Sequence, residues 1–496
     1  MEMLLSALLG EGITRSLNFF ISKSSKLQPH DVEDRFHRVL LRAQVIIDEA
    51  MGRQITNHVM LQKLDMLRGS MHRGYYMLDS FRYQFINGQD ARDQITSQSL
   101  SPSKVTYFKY FCHLKRKIQI FEQLQKMLDN LRSMILDMEE VVIFLTSYRR
   151  SYRQPYSMHI LLGNCMFGRQ MEVELAINFL LHTQPQGPQE LEVMPVMPIV
   201  GPGKVGKSTL VAHVCKDERV RDRFSKILWL CDHDFKDDEL AFIEECTVKL
   251  ENLVTNLNKD ERLLVVVELV GDPTEDAWNS LYSTSKRCMS RGSKIIVTSR
   301  SDKVVRFGTT RAITLKFLTQ EAFWYFFKIL VFGSVDPDMH PRLVQLAMEI
   351  AKMLKGTISG ANVISSLLRD NFEIQFWYKV LMFFRGYIQK NISEFGEHPS
   401  DRLSQDRPAQ LGRVSIPSEE VLVSHQYQYS SQKEIPKIGI LDVVFGSIKP
   451  LGKFDMLLWR SHIPPYYSYV YACEIRELKI AGAKRKRPMR SGAALC

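Results

Sequence analysis

The sequence predicts a multidomain chain: an N-terminal α-helical bundle, a central α/β domain with a helical subdomain after it, and a small β-containing C-terminal segment. Three observations lead there. Apolar residues recur at helical spacing in the first 148 positions, as in Val32, Phe36, Val39, Leu40, Ala43, Ile46, Ile47 and Ala50. Short β-branched runs alternate with amphipathic stretches between 196 and 298, and Val, Ile, Tyr and Phe concentrate between prolines from 421 to 478. Apolar positions three and four apart share one face of a helix, whereas an unbroken apolar run suits a strand buried on both faces.

At 496 residues the chain is too long for one core, and domains of about 100–200 residues suggest roughly three. Apolar residues at 45% and charged residues at 24% argue against long disorder and against a fibrous fold. The formal charge of +11 is carried partly by a tail, Lys484-Arg485-Lys486-Arg487 with Arg490 beyond, so the folded part is only mildly basic. The eight cysteines include no C-x-x-C pair, which predicts neither a zinc site nor a disulfide framework and makes reduced thiols the expectation. Glu11 and Arg15 interrupt the apolar start, and no apolar run approaches the ~20 residues of a membrane span. Neither a secretory signal nor a transmembrane helix is expected.

In order along the chain, residues 1–148 read as a helical, coiled-coil-like head. A second stripe passes through Met60, Leu64, Leu67, Met71 and Leu78, and a third through Phe121, Leu124, Leu128, Leu131, Ile135, Met138, Val142 and Leu145. The Gly- and Ser-containing stretch near 87–104 is expected to break the helical pattern. Residues 149–192 read as a linker and lead-in segment holding one helix, Met171 to Leu181. Residues 193–315 read as the α/β domain, with strands at Val196–Val200, Ile227–Leu230, Leu263–Val267 and Lys294–Thr298. Helical pattern returns over 316–392, the polar, proline-containing 393–420 is expected as an exposed linker, and 421–478 as a small β unit before a basic tail at 479–496. No repeat of about 20–30 residues is visible, so a leucine-rich solenoid is not expected.

One motif carries chemistry. Gly201-Pro-Gly203-Lys-Val-Gly206-Lys207-Ser208 satisfies G-x-x-x-x-G-K-[ST] between a strand and a helix beginning near Thr209, the context of a P-loop. Its glycines let successive amides face a phosphate, and the helix N-terminus adds partial positive charge. Gly201, Gly203, Gly206, Lys207, Ser208 and Thr209 are the expected phosphate contacts, Lys207 as a point charge and Ser208 as a magnesium ligand through the nucleotide. This class also needs an acid at the end of a neighbouring strand. Leu263-Leu264-Val265-Val266-Val267-Glu268 provides the strand, but its first acidic position is apolar. Two readings of Glu268 stand, a catalytic carboxylate or a solvent-facing strand end. Arg300, after the strand 295–298, could reach a γ-phosphate or form a surface ion pair.

Taken in order, these stretches resemble the plant intracellular immune receptors that join a coiled-coil head to an NB-ARC nucleotide switch. GRQMEVELAINFLL is similar to the lead-in segment, PIVGPGKVGKSTL to the phosphate loop, and RVRDRFSKILWLCDHDF to the following strand motif. LLVVVELV is similar to the acidic motif, GSKIIVTSRSDKV to the sensor strand, FLTQEAFWYFFKILVFGS to the next helix, and IAKMLKGTISGANVISSLL to the Gly-Leu-Pro-Leu helix. The resemblance covers about 160–375, and LDSFRYQ stands where the head's acidic motif would be.

The resemblance implies a defence role, ADP or ATP with Mg2+ as ligand, and protein partners, other immune receptors among them, reached through the head; the acid missing at Val267 makes at most slow ATP hydrolysis the expectation. Lys204 replaces a usual glycine, Val267 the first acid, and Gly356-Thr357-Ile358-Ser359 the Gly-Leu-Pro-Leu turn; no Met-His-Asp signature follows 375. An alternative is therefore kept, a degenerate receptor fold serving as scaffold for full receptors. The resemblance implies a cytoplasmic location, KRKR is also compatible with nuclear import, and nucleic acid is not expected as a partner because the tail lacks interleaved aromatics.

Overall fold

The computed structural model describes residues 29–96, 104–150, 166–182, 193–231, 246–250, 252, 261–269, 274–405, 407–414, 419–429, 435–446, 448–450, 452–463 and 466–477. The fold class is the one the sequence predicts, with N-terminal helices, a central parallel sheet and a small antiparallel sheet towards the C-terminus. Internal contacts divide the chain into two units, residues 1–377 with 462–465, and 378–461 with 466–496.

The first unit opens with α1 (Pro29–Met51), α2 (His58–Thr96), α3 (Lys104–Leu136) and α4 (Glu139–Leu145). Their stripes converge on one core that includes the fully buried Phe36, Leu40, Leu67, Leu124 and Leu131. Burying each such side chain stabilises the unit by about 1.5–3 kcal/mol. Gly74 permits the close approach of three helices, because a Cβ there would stand 2.7 Å from Leu40 Cδ2 and 3.1 Å from Leu131 Cδ1. The expected break in the 87–104 stretch falls late in it: α2 continues through Gly88 to Thr96, and α3 begins at Lys104. One interior glycine costs only about 1 kcal/mol, too little to end a helix of 39 residues.

After α5 (Gln170–Leu181) comes a five-stranded sheet of β1 (Val196–Val200), β2 (Lys226–Cys231), β3 (Leu263–Leu269), β4 (Lys294–Ser299) and β5 (Ile313–Thr314). Its order is β2-β3-β4-β1-β5, with every pair parallel. Both faces are covered, as parallel strands require. Leu264, Val266, Met197, Ile199 and Ile296 pack with α5 and α6 (Lys207–Cys215), with α7 (Glu218–Arg223) beyond. Leu263, Val265, Val267, Ile295 and Val297 pack instead with Trp278 and Leu281 of α8 (Glu275–Cys288). This alternation decides which β3 side chains face the loop after β1.

Three helices then form a subdomain: α9 (Gln320–Phe332), α10 (Pro341–Met353) and α11 (Ile358–Asp370). Thr319 caps α9 by accepting from the Ala322 amide, and Gly333 ends it at φ 57°. Trp377, fully buried, donates its indole N–H to the carbonyls of Leu368 and Asn371. Asp79 of α2 is also buried, and it accepts from Lys328 Nζ at 2.8 and 2.9 Å and from Trp324 Nε1 at 2.8 Å. That carboxylate ties the helical head to α9.

The second unit holds most of α12 (Ile374–Phe395), then α13 (Pro399–Ser404), α14 (Ile440–Val444) and an antiparallel sheet in the order β6-β7-β9-β8. Its strands are β6 (Ala409–Gly412), β7 (Glu419–Tyr429), β8 (Lys453–Arg460) and β9 (Ser468–Glu477). Residues 393–420, expected as an exposed linker, instead hold the end of α12, α13 and β6. Ala409 and Leu411 are buried, and β6 pairs with β7 from Ala409↔Val423 to Gly412↔Glu420. The alternation A-Q-L-G is a half-buried strand pattern that polar flanking residues conceal. The KRKR tail and the leading 28 residues lie outside the described residues.

Candidate phosphate-binding site

The loop between β1 and α6 takes its shape from three left-handed residues, Gly201 at φ 149°, Lys204 at 62° and Gly206 at 98°. Gly201 has no alternative, since a Cβ would lie 2.3 Å from the Leu315 carbonyl oxygen. Leu315 is fixed there by its own amide, which donates to Val200 O at 2.8 Å. Lys204 holds a conformation that costs a non-glycine residue about 1–2 kcal/mol. Gly203 is not among the loop's positive-φ positions.

Gly206 is the N-cap of α6 and provides no side-chain acceptor. The first intrahelical bond of the helix runs from Leu210 N to Gly206 O at 2.9 Å, so the amides of Lys207, Ser208 and Thr209 precede the hydrogen-bonded ladder. Lys207 Nζ folds back to donate to the carbonyls of Gly201 at 2.7 Å and Pro202 at 2.8 Å. Burial and then the nearby Arg300 guanidinium, opposed by Glu268, push its pKa down to about 8. Lys207, Arg300 and Glu268 therefore share one electrostatic neighbourhood.

Glu268, 5% exposed, is a buried strand end and not a solvent-facing one. It pairs in register with Thr298 of β4, and Thr298 in turn with Ile199 of β1. The acid thus sits two strands from β1. Val267 points the other way, into the core shared with Trp278. Ser299 is fully buried at the end of β4, and Arg300 just beyond it is exposed.

The lead-in segment reaches the same loop, a contact the sequence reading did not assign to specific residues. The Met166 methyl carbon lies 3.7 Å from where a Gly206 Cβ would be. Gly168 turns at φ 70°, and the buried Arg169 donates to the Lys316 carbonyl and to Glu172 at 3.3 Å. The Gly168-Arg169 dipeptide was the available signal. At Gly356, φ is 76°, Lys355 before it is at 50°, and Ile358 opens α11. Among the described residues no cluster of three or more His, Cys, Asp or Glu could hold a metal ion, and no helix is long and apolar enough to cross a membrane.

A parallel sheet in this order, with a glycine loop leading from β1 into α6 and a buried carboxylate on the α6 side of β3, defines a P-loop-like α/β fold. The chain's curated homologues are plant disease-resistance proteins of the NLR type. "Disease resistance protein RGA2" of Solanum bulbocastanum is 24% identical over 365 residues, 70% of this chain and 36% of that protein. "Putative disease resistance RPP13-like protein 1" of Arabidopsis thaliana is 24% identical over 378 residues, 70% of this chain and 34% of that protein. "Putative disease resistance protein RGA4" of Solanum bulbocastanum is 28% identical over 228 residues, 43% of this chain and 22% of that protein. The chain spans about a third of the length of the first two relatives. No protein-family model matches it. A solved structure described as "Structure of C. elegans PCH-2" aligns with TM-score 0.31 at 14% identity, over 43% of this chain and 66% of that one.

Proposed function

We propose that the chain binds ADP or ATP at the β1–α6 loop and acts as a nucleotide-dependent regulator in plant defence. The loop conformation carries this reading, because three left-handed residues in six direct the backbone around a site that begins at an uncapped helix N-terminus. The residues fit the ligand: Gly201, Gly203, Gly206, Lys207, Ser208 and Thr209 would hold the phosphates, with Arg300 towards a γ-phosphate. Mg2+, bound through the nucleotide and Ser208, would neutralise phosphate charge. Lys207 would exchange its two carbonyl partners for phosphate oxygens, and a charge-assisted bond of that kind contributes about 1.5–3 kcal/mol. The defence role follows from the relatives' names.

Hydrolysis would be slow at most, since a single carboxylate, Glu268, acts on Lys207, and Val267 is turned into the opposite core. The strained Lys204 favours a second reading, a degenerate scaffold that pairs with full receptors through its helical head. Calorimetric titration with ADP and ATP separates the two. Micromolar binding that weakens ten- to a hundredfold in Lys207→Ala supports the nucleotide reading; no binding at millimolar nucleotide would leave the scaffold.

A further inference from the structure

A second concave site lies at the opposite end of the sheet. Lys294 and Pro195 stand at the leading ends of β4 and β1, whereas the phosphate loop leaves β1 at its trailing end, five residues and about 16 Å on. A cavity of about 1270 Å3 opens at those leading ends and runs towards β5. Its walls come from one side of α5 along its length, the approaches to β1, β3 and β4, the strand β5, the last turns of α7 and α8, and the start of α2.

The lining is electropositive. Arg223, Arg262, Lys286, Arg291 and Arg311 converge on it with the buried Lys294, whereas its acid is Glu172, which pairs with Arg169 at 3.3 Å. The inner cations are positioned by the fold. Arg262 lies across Gly292, whose missing Cβ would stand 3.1 Å from the guanidinium Nε, and Gly292 itself turns at φ 87°. Lys294 Nζ donates to the carbonyls of Phe179 and His182, the latter at 2.6 Å, and so closes the end of α5. Arg223 is near both: Arg262 lowers the pKa of Arg223, and Arg223 that of Lys294, in each case after burial. With seven Lys and Arg side chains in its lining against one acid, the cleft carries a positive potential that attracts anions.

We infer that this cleft is a second anion site, separate from the phosphate loop, and that it takes a compact polyanion, a small molecule carrying several phosphate groups. Enclosure on several sides by separate elements favours a small ligand over a peptide or nucleic-acid strand, which a linear patch would suit better. Arg223 and Arg262 form the inner contacts, with Arg291 and Arg311 at the rim.

Inorganic tripolyphosphate is the probe, titrated calorimetrically into the full chain saturated with MgADP, and into Lys207→Ala. Binding is expected in both preparations and should weaken at least tenfold when the exposed rim is reversed by Arg291→Glu with Arg311→Glu. That double variant should leave ADP affinity unchanged, which also reports that it folds. Affinity should fall steeply between 50 and 200 mM salt, as for other multiply charged ligands. The inference is overturned if tripolyphosphate does not bind at millimolar concentration, if Lys207→Ala abolishes its binding, or if the rim reversal leaves it unchanged. A poly-glutamate peptide binding more tightly than tripolyphosphate would equally overturn the assignment to a small ligand.

Discussion

The pH dependence of nucleotide affinity tests the site through a single group. In the free chain the Lys207 ammonium is held at about 8 by burial and by Arg300, against an ordinary value of 10.5. An anion beside it favours the charged form, so nucleotide binding above that pH takes up a proton. If phosphate restores the ordinary value, the apparent Kd scales with 1 + 10^(pH − 8), which is about 1.1 at pH 7 and about 11 at pH 9. ADP should therefore bind about tenfold more weakly at pH 9 than at pH 7. The assay is calorimetry at both pH values in two buffers of different ionisation enthalpy, which counts the proton directly. Lys207→Ala should bind weakly and show no such slope. A flat profile in the wild-type chain, or an equal slope in Lys207→Ala, would refute the assignment of Lys207 to the phosphates. Stability should move in the opposite sense. A lysine whose folded pKa is depressed holds fewer protons in the folded state between 8 and 10.5, so its destabilising contribution is fully present below 8 and is relieved as pH rises through that window.

Three further outcomes follow from the packing. Asp79→Ala strands the Lys328 ammonium and the Trp324 indole without their shared carboxylate, and should cost about 3–5 kcal/mol in urea unfolding; the double variant with Lys328→Met should lose less than the sum of the two single changes. His72, 3% exposed and packed against Tyr325 and Phe167, is pushed down to about 3 by burial and then by Arg68. The folded state then holds fewer protons than the unfolded one below about 6.5, so stability should fall by about 1.4 kcal/mol per pH unit towards pH 3, and His72→Phe should flatten that slope in acid denaturation. In the loop, Gly201→Ala should abolish ADP binding, because its Cβ meets the Leu315 carbonyl, whereas Lys204→Gly should raise the melting temperature by relieving about 1 kcal/mol of left-handed strain.

Much of the frame was legible because its signals are local. Apolar periodicity marks α1 to α3, β-branched runs mark β1 to β4, and the spacing Gly201 to Ser208 marks a loop shape that only certain residues tolerate. Misreadings fall where tertiary contact overrides local preference. Ala409 to Gly412 became a strand because β7 offered it a ladder, although their neighbours are polar. Asp79 was visible only as part of LDSFRYQ, with no partner assigned to it. Its role depends on Trp324 and Lys328, some 245 and 249 residues away, and no periodicity reports a partner at that separation.

The carboxylate of the site shows the same limit in its sharpest form. Read as a string, LLVVVEL loses an acid at Val267, and the natural conclusion is a damaged centre. Read as a strand, alternate residues belong to opposite faces. Leu264 and Val266 pack on the α6 side, and Glu268 follows them in phase; Val265 and Val267 belong to the core around Trp278. The buried Glu268 thus acts on Lys207, and an aspartate at 267 would begin from the other face. A Val267→Asp change made to restore the missing acid should accordingly place an unpaired charge in an apolar core and destabilise the domain by several kcal/mol. Glu268→Gln, which keeps the shape and removes the charge, is the variant that isolates the carboxylate.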